Sequence, residues 1–257
     1  MRVFVIKVKR WYLLVLLLLA LVSLVPQLRE PLIVSVTSKG RLVPIYAVQT
    51  DKKQVAISFD ATWGTELTDE ILEILETHGI TTTFFLAGYW VDKHPDYVVK
   101  IADAGHEIGN HSYSHPHMNS LSEQGLHYEL QKNQSLIQDL TGQRTTLFRP
   151  PFGEYSNKVV TAAEKCGYKS IQLSIDSLDW QELGKEPMVK RVTESLHPGA
   201  IILFHNNGKY TAEALPEIIA FVKEQSYKVV PVSELLYKEN YYIDSNTGAQ
   251  IQMPLQD

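Results

Sequence analysis

The sequence predicts an α/β fold, an irregular barrel of seven strand–helix units preceded by an N-terminal membrane anchor. Three observations carry this. Short apolar runs alternate with helical patterns from Gln54 onward, strict alternation implies parallel strands joined by crossover helices, and a charged-then-apolar segment opens the chain. The 257 residues are 44% hydrophobic, enough for one large core, and the net charge of −5 with no basic cluster beyond the N-terminus gives a nucleic-acid role little support.

Arg2, Lys7, Lys9 and Arg10 precede the apolar run Trp11–Val25. Positive charge before an apolar run keeps the N-terminus in the cytoplasm and sends the rest outward. We therefore read 1–10 as a cytoplasmic basic segment and 11–26 as a single-pass membrane anchor. The run is shorter than the roughly 20 residues of an ordinary span, so a cleaved signal is the alternative. No small-x-small triplet precedes Pro26, which favours the anchor. Residues 27–52 hold two β-like runs, Leu32–Val36 and Val43–Val48, read as a stalk or small strand pair. The main domain is 53–240, and 241–257 is read as a C-terminal tail.

The strand candidates are Gln54–Phe59, Thr81–Leu86, His106–Gly109, Thr146–Arg149, Ser170–Ile175, Ala200–Phe204 and Lys228–Pro231. Helix signals lie between them. Leu67, Ile71, Ile74 and Leu75 share one face before Gly79. Pro95 starts a second helix and Gly105 stops it. Ser120-Leu121-Ser122-Glu123 reads as a capping box before the stripe Leu126, Leu130, Ile137, Leu140. Pro187 opens a further helix, and Thr211–Gln225 forms the last long one. A doubly wound open sheet is the rival fold, but it wants a Gly-rich phosphate loop after the first strand, and D-A-T-W-G is not one. Cys166, the single cysteine, reads as a small buried apolar residue and rules out an intrachain disulfide.

In such barrels the working face lies at the C-terminal ends of the strands. Five strand ends deliver reactive groups there: Asp60; His111 and His115 in H-S-Y-S-H-P-H, with His117 spare; Arg149 in R-P-P-F-G-E; Asp176 and Trp180 in D-S-L-D-W; and His205 in L-F-H. The imidazoles of His111 and His115 suit one divalent cation, or belong to a polar surface loop. Arg149 beside Asp60 would hold that carboxylate and lower its pKa, as a structural ion pair or as part of a site. Asp176 behind His205 would make a charged general acid. Trp180 either walls a pocket or packs in the core. Leu203, two residues before His205, points to the same side.

Taken together, these motifs resemble the polysaccharide deacetylases, carbohydrate esterase family 4 with the NodB homology domain, over Gln54–Leu236. The stretches F-D-A-T-W-G, G-H-E-I-G-N-H-S, R-P-P-F-G and D-S-L-D-W look like its sporulation-type branch. The resemblance implies a NodB-type (β/α)7 barrel that removes N-acetyl groups from a cell-wall glycan, peptidoglycan above all, with a divalent metal. Zinc is the first choice, cobalt and manganese the others. It implies Asp60 as general base, His111 and His115 as metal ligands, Arg149 as tether of the base, Asp176 as the acid tuning His205, and His205 as general acid. Trp180 and Leu203 would wall the acetyl pocket, with Pro151, Phe152 and Trp63 beside them. The family pattern has a second aspartate where this chain has Ala61. Asp60 then becomes a candidate third ligand with Asp179 as a substitute base, or the protein is an impaired glycan binder.

Overall fold

A computed structural model describes residues 40–254. The basic segment, the anchor and the Leu32–Val36 run lie outside the described residues. Among those described, no helix is long and apolar enough to cross a membrane.

The sheet is parallel and seven strands wide: β2 (Gln54–Ala61), β3 (Thr83–Leu86), β4 (Glu107–Asn110), β5 (Leu147–Phe148), β6 (Lys169–Ser170), β7 (Ile175–Asp176) and β8 (Ile201–His205), in the order β6-β5-β4-β3-β2-β8-β7. A further short strand, β9 (Lys228–Val229), pairs with the start of β2. Strand β2 is central because it is apolar on both faces. Val55, Ile57 and Phe59 point outward to the helices, and Phe59 stacks on Phe84 with ring centres 4.9 Å apart. Ala56 points inward with Phe85, Leu147 and Ile201, and Ser58 and Asp60 continue that inner face.

The predicted strand Ser170–Ile175 is two strands, β6 and β7, on opposite edges of the sheet. No helix separates them, so the alternation breaks there and the edges do not pair. The intervening residues and an N-terminal segment fill the seam instead. Ile45 bridges Ile171 in parallel, its N–H donating to the Ser170 carbonyl at 2.9 Å and its carbonyl accepting from Gln172 N–H at 2.7 Å. Ala47 bridges Ala200 on the other side. The Val43–Val48 run thus closes the barrel wall. Its strand β1 (Ala47–Val48) pairs with β11 (Ala249–Gln252), which pairs with β10 (Tyr241–Ile243), so the stretch read as a tail is a hairpin.

Among the described residues eight α-helices surround the sheet: α1 (Thr68–Thr77), α2 (Gly88–Lys93), α3 (Pro95–Asp103), α4 (Glu123–Thr141), α5 (Asn157–Lys165), α6 (Lys185–Glu194), α7 (Thr211–Glu224) and the single-turn α8 (Val232–Leu235). Helix α4 starts two positions later than the capping box predicts. Ser122 is the N-cap, its hydroxyl accepting from Gly125 N–H at 3.1 Å, and Glu123 opens the first turn instead of closing a capping box. Gly142, in the left-handed conformation at φ 70°, ends it. Cys166 caps α5 and is half-buried.

Candidate active site

The parallel register places Asp60 directly opposite His205 across the β2–β8 pair. Everything else in the mouth is arranged about these two residues.

Asp60 is buried and its Oδ1 accepts from Arg149 Nη1 at 2.7 Å. Arg149 follows β5, where its N–H donates to the Asn110 carbonyl. Its second nitrogen, Nη2, donates to Ser58 Oγ at 2.9 Å and to the Gln172 carbonyl at 3.3 Å. The guanidinium lies over the Phe85 ring, 4.1 Å from its centre. Gly109 makes this possible, since a Cβ there would stand 2.4 Å from the same ring. Burial alone would raise the Asp60 pKa, but Arg149, His111 and His205 outweigh it and hold the carboxyl below its usual value.

His111 is buried, and its Nδ1 lies 2.7 Å from the Arg149 carbonyl. A carbonyl only accepts, so Nδ1 carries the proton and Nε2 presents a lone pair. That lone pair faces Asp60 Oδ2 at 3.6 Å. Burial pushes His111 down and so keeps it neutral. His115 sits edge-on to His111 with ring centres 4.9 Å apart, and burial with the His111 neighbour pushes its pKa down to about 3. Neutral imidazoles are the form that binds metal. The 3.6 Å between His111 Nε2 and Asp60 Oδ2 is near the roughly 3.4 Å between two ligands of one tetrahedral zinc. His111 and His115 thus offer two neighbouring neutral imidazoles, with Asp60 Oδ2 facing His111. Among the described residues no three His, Cys, Asp or Glu side chains converge as a metal-binding group, so the imidazole pair is an incomplete donor set. Ala61 supplies nothing: it is fully buried among the outward-facing apolar side chains of β2 and its neighbours.

The acid side corrects one expectation. His205 Nδ1 lies 2.7 Å from Asp179 Oδ1, and the His205 N–H donates to Asp179 Oδ2 at 2.6 Å. Asp176 is not the partner. Its Oδ1 accepts from Leu178 N–H at 2.9 Å, forming an Asx turn, and Leu178 takes the left-handed conformation at φ 57°. That turn brings Asp179 back beneath the histidine, while Asp176 acts on His205 only as a nearby charge. Asp179 is fully buried and also accepts from Thr211 Oγ1 at 2.8 Å. Its oxygens are committed, so it cannot serve as a substitute base. Burial opposes protonation of His205, but the Asp179 hydrogen bond and charge, then Asp60 and Asp176, overcome this and raise its pKa.

The aromatic residues ring the mouth. Trp180 is 58% exposed on the short turn Asp179–Gln181 and is not core. Phe152 and Trp63 are each about half exposed and meet His115 edge-on, with ring centres at 4.5 and 5.2 Å. Leu203 and Pro151 are buried. His117 stands outside, exposed, paired with Glu154 at 3.1 Å and stacked on Phe152.

Residues 47–171 match the family model of polysaccharide deacetylases. The uncharacterized protein YlxY of Bacillus subtilis is 36% identical over 75% of this chain, which spans 60% of that protein's length. The peptidoglycan-N-acetylmuramic acid deacetylase PdaA of the same organism is 30% identical, covering 78% of each. Among solved structures, BA3943 of Bacillus anthracis, a CE4 family pseudoenzyme, is 37% identical over 82% of this chain and 73% of its own, with a TM-score of 0.74. A mutant of BA3943 with restored enzymatic activity superposes with the same TM-score at 40% identity, covering 77% of this chain and 72% of its own.

Proposed function

Since the chain belongs to the polysaccharide deacetylase family, we propose that it hydrolyses the N-acetyl amide of an amino sugar in a cell-wall glycan, peptidoglycan of the spore wall. The observation that carries this reading is the opposed placement of Asp60, whose pKa is lowered, and His205, whose pKa is raised, on adjacent strands. Amide hydrolysis needs both: a base to take a proton from water, and an acid to protonate the departing nitrogen.

His111 and His115 would hold the divalent ion, zinc first among candidates, which leaves Asp60 as the base. Bound there, the ion supplies polarisation of the attacking water and of the amide carbonyl. Arg149 occupies Asp60 Oδ1 and leaves Oδ2 to accept the water proton. His205 has Nδ1 committed to Asp179, so its other ring nitrogen, Nε2, gives a proton to the sugar amine as the C–N bond breaks. Acetate and a free amino sugar leave. Trp180 and Leu203 line the space for the acetyl group, and Trp63, Phe152 and Pro151 offer apolar faces to the sugar rings. The basic-then-apolar N-terminal sequence supports action outside the cytoplasm, on the cell surface.

A second reading, a glycan-binding protein with impaired catalysis, is favoured by Ala61 and by the likeness to a pseudoenzyme. Acetate release from peptidoglycan fragments, measured with zinc, cobalt and manganese in turn, separates the two. Release with any of them supports hydrolysis. No release from folded protein that still sediments with cell-wall material supports the second reading.

A further inference from the structure

The loop that carries His111 and His115 is conformationally unusual. Ser112 and His115 both sit in the left-handed region, at φ 63° and 53°. Neither is glycine, and such conformations persist only where the surroundings over-determine them. Local bonds contribute: Asn110 Oδ1 accepts from Ser112 N–H at 2.9 Å, and Ser112 Oγ accepts from His115 N–H at 3.1 Å. These shape each bend but do not anchor the loop to the barrel.

The anchor comes from a helix. Glu129, on α4, is 93% buried, and its carboxylate collects three hydrogen bonds from the middle of the loop. Oε2 accepts from Tyr113 N–H at 2.9 Å and Ser114 N–H at 2.7 Å, and Oε1 accepts from Ser114 Oγ at 2.7 Å. One turn on, at the i+4 position of the same helix face, Asn133 Nδ2 donates to the Leu86 carbonyl and to Asn110 Oδ1, tying the same helix to the strand ends. From the other side, Gly88 N–H donates to the Ser112 carbonyl and Tyr89 N–H to the Tyr113 carbonyl. The loop lies so close to Gly88 that a Cβ there would stand 2.9 Å from Tyr113 Cα. An acid on the apolar stripe of a helix has a large desolvation cost, which these three donors offset. Among the described residues, no positive side chain is bonded to it.

We propose that Glu129 is a positioning residue: its buried carboxylate pins Tyr113 and Ser114 so that His111 and His115, on either side, both turn their rings into the mouth. This rests on the reading of those two imidazoles as working groups. It assigns Glu129 no contact with substrate.

Three variants of the full chain test it: Glu129→Ala, Glu129→Gln and Ser114→Ala. Two readouts apply, the imidazole nitrogen resonances of His111 and His115 in metal-free protein, and zinc affinity by titration with zinc alone. Glu129→Ala should move both sets of ring resonances toward those of free histidine and weaken zinc binding at least tenfold. Glu129→Gln, whose amide oxygen still accepts both backbone N–H groups, should restore zinc affinity to within about threefold of the parent. A carboxylate that merely supports the fold would lower the unfolding temperature without moving the ring resonances of the folded protein. That outcome in Glu129→Ala, with unchanged zinc affinity, overturns the proposal. If Glu129→Ala does not fold, Ser114→Ala, which removes one bond of the three, decides: a shift of the His115 resonances in the same direction supports the proposal, and none overturns it. The resonances require neither metal nor turnover. A protein without deacetylase activity therefore leaves this test intact.

Discussion

Asp179 accepts both the ring Nδ1–H and the backbone N–H of His205, at 2.7 and 2.6 Å, so one buried carboxylate fixes that histidine's position and its charge. Neighbouring Asp176 is occupied by its own turn. Asp179→Asn should lower acetate release about 10²–10⁴-fold, the range of a general acid's contribution. Asp176→Asn should lower it by less than about tenfold, since a nearby charge is largely screened. Equal losses in the two variants would contradict the assignment.

The same pair predicts a pH dependence of stability. Folding raises the pKa of His205, so its stabilisation is fully present below the unfolded value of about 6.5 and is lost as pH rises through the higher folded value. Unfolding free energy measured from pH 6 upward should therefore fall more steeply in the parent than in Asp179→Asn.

Arg149 and Asp60 form the converse case, a buried ion pair with further bonds to Ser58 and Gln172. Arg149→Leu leaves Asp60 buried without its cation and should cost about 3–5 kcal/mol. For a domain of this size that is roughly 6–20 °C in Tm. Asp60 has its pKa lowered in the fold, so its contribution is present above the unfolded value of about 3.9 and is lost as pH falls through the lower folded value. The stability gap between parent and Arg149→Leu should accordingly shrink in strong acid. A constant gap from pH 7 to pH 3 would mean the loss comes from packing on Phe85 alone.

Much of this site was legible before any coordinates. Asp60, His111, His115, Arg149 and His205 each stand at or just beyond the end of an apolar run, and strand ends converge whatever the exact register. The partner of His205 was misread because Asp176 and Asp179 share one short motif. Asp176 is followed two residues later by Leu178, whose N–H it accepts, the spacing of an Asx turn, so the sequence did carry a sign that the first aspartate shapes the chain. Glu129 was visible in another way. It and Asn133 lie on the apolar stripe of Leu126, Leu130 and Ile137, where a polar residue needs a buried partner. The closure by Ile45 had no local signal. It depends on β6 and β7 being only two residues each and lying on opposite edges, which is a property of the whole sheet.

Trp63 and Trp180 are both more than half exposed, so neither holds the fold. Changing either to alanine should move stability by no more than about 0.5 kcal/mol. Glycan binding should weaken by about 2–10-fold for each, the scale of one aromatic contact. Trp63 also borders His115, so its loss should alter zinc binding where the loss of Trp180 does not. Sedimentation with purified wall material and thermal unfolding, run on the same samples, read both quantities.

Ala61 offers the sharpest test of the metal. Its side chain is fully buried in the apolar layer around Phe59 and Leu86. A carboxylate there has no partner unless it can turn toward His111 and His115. In metal-free protein Ala61→Asp should therefore destabilise the fold by several kcal/mol, the cost of burying an unpaired charge. Zinc should reverse this. A ligand at one hundred times its Kd stabilises by about 2.7 kcal/mol, so an added carboxylate that tightens binding must give the variant a larger zinc-induced rise in Tm than the parent shows. If the parent rises as much as the variant at equal zinc, the two imidazoles and Asp60 already hold the ion without help from position 61. If zinc moves neither, His111 and His115 do not form a metal site.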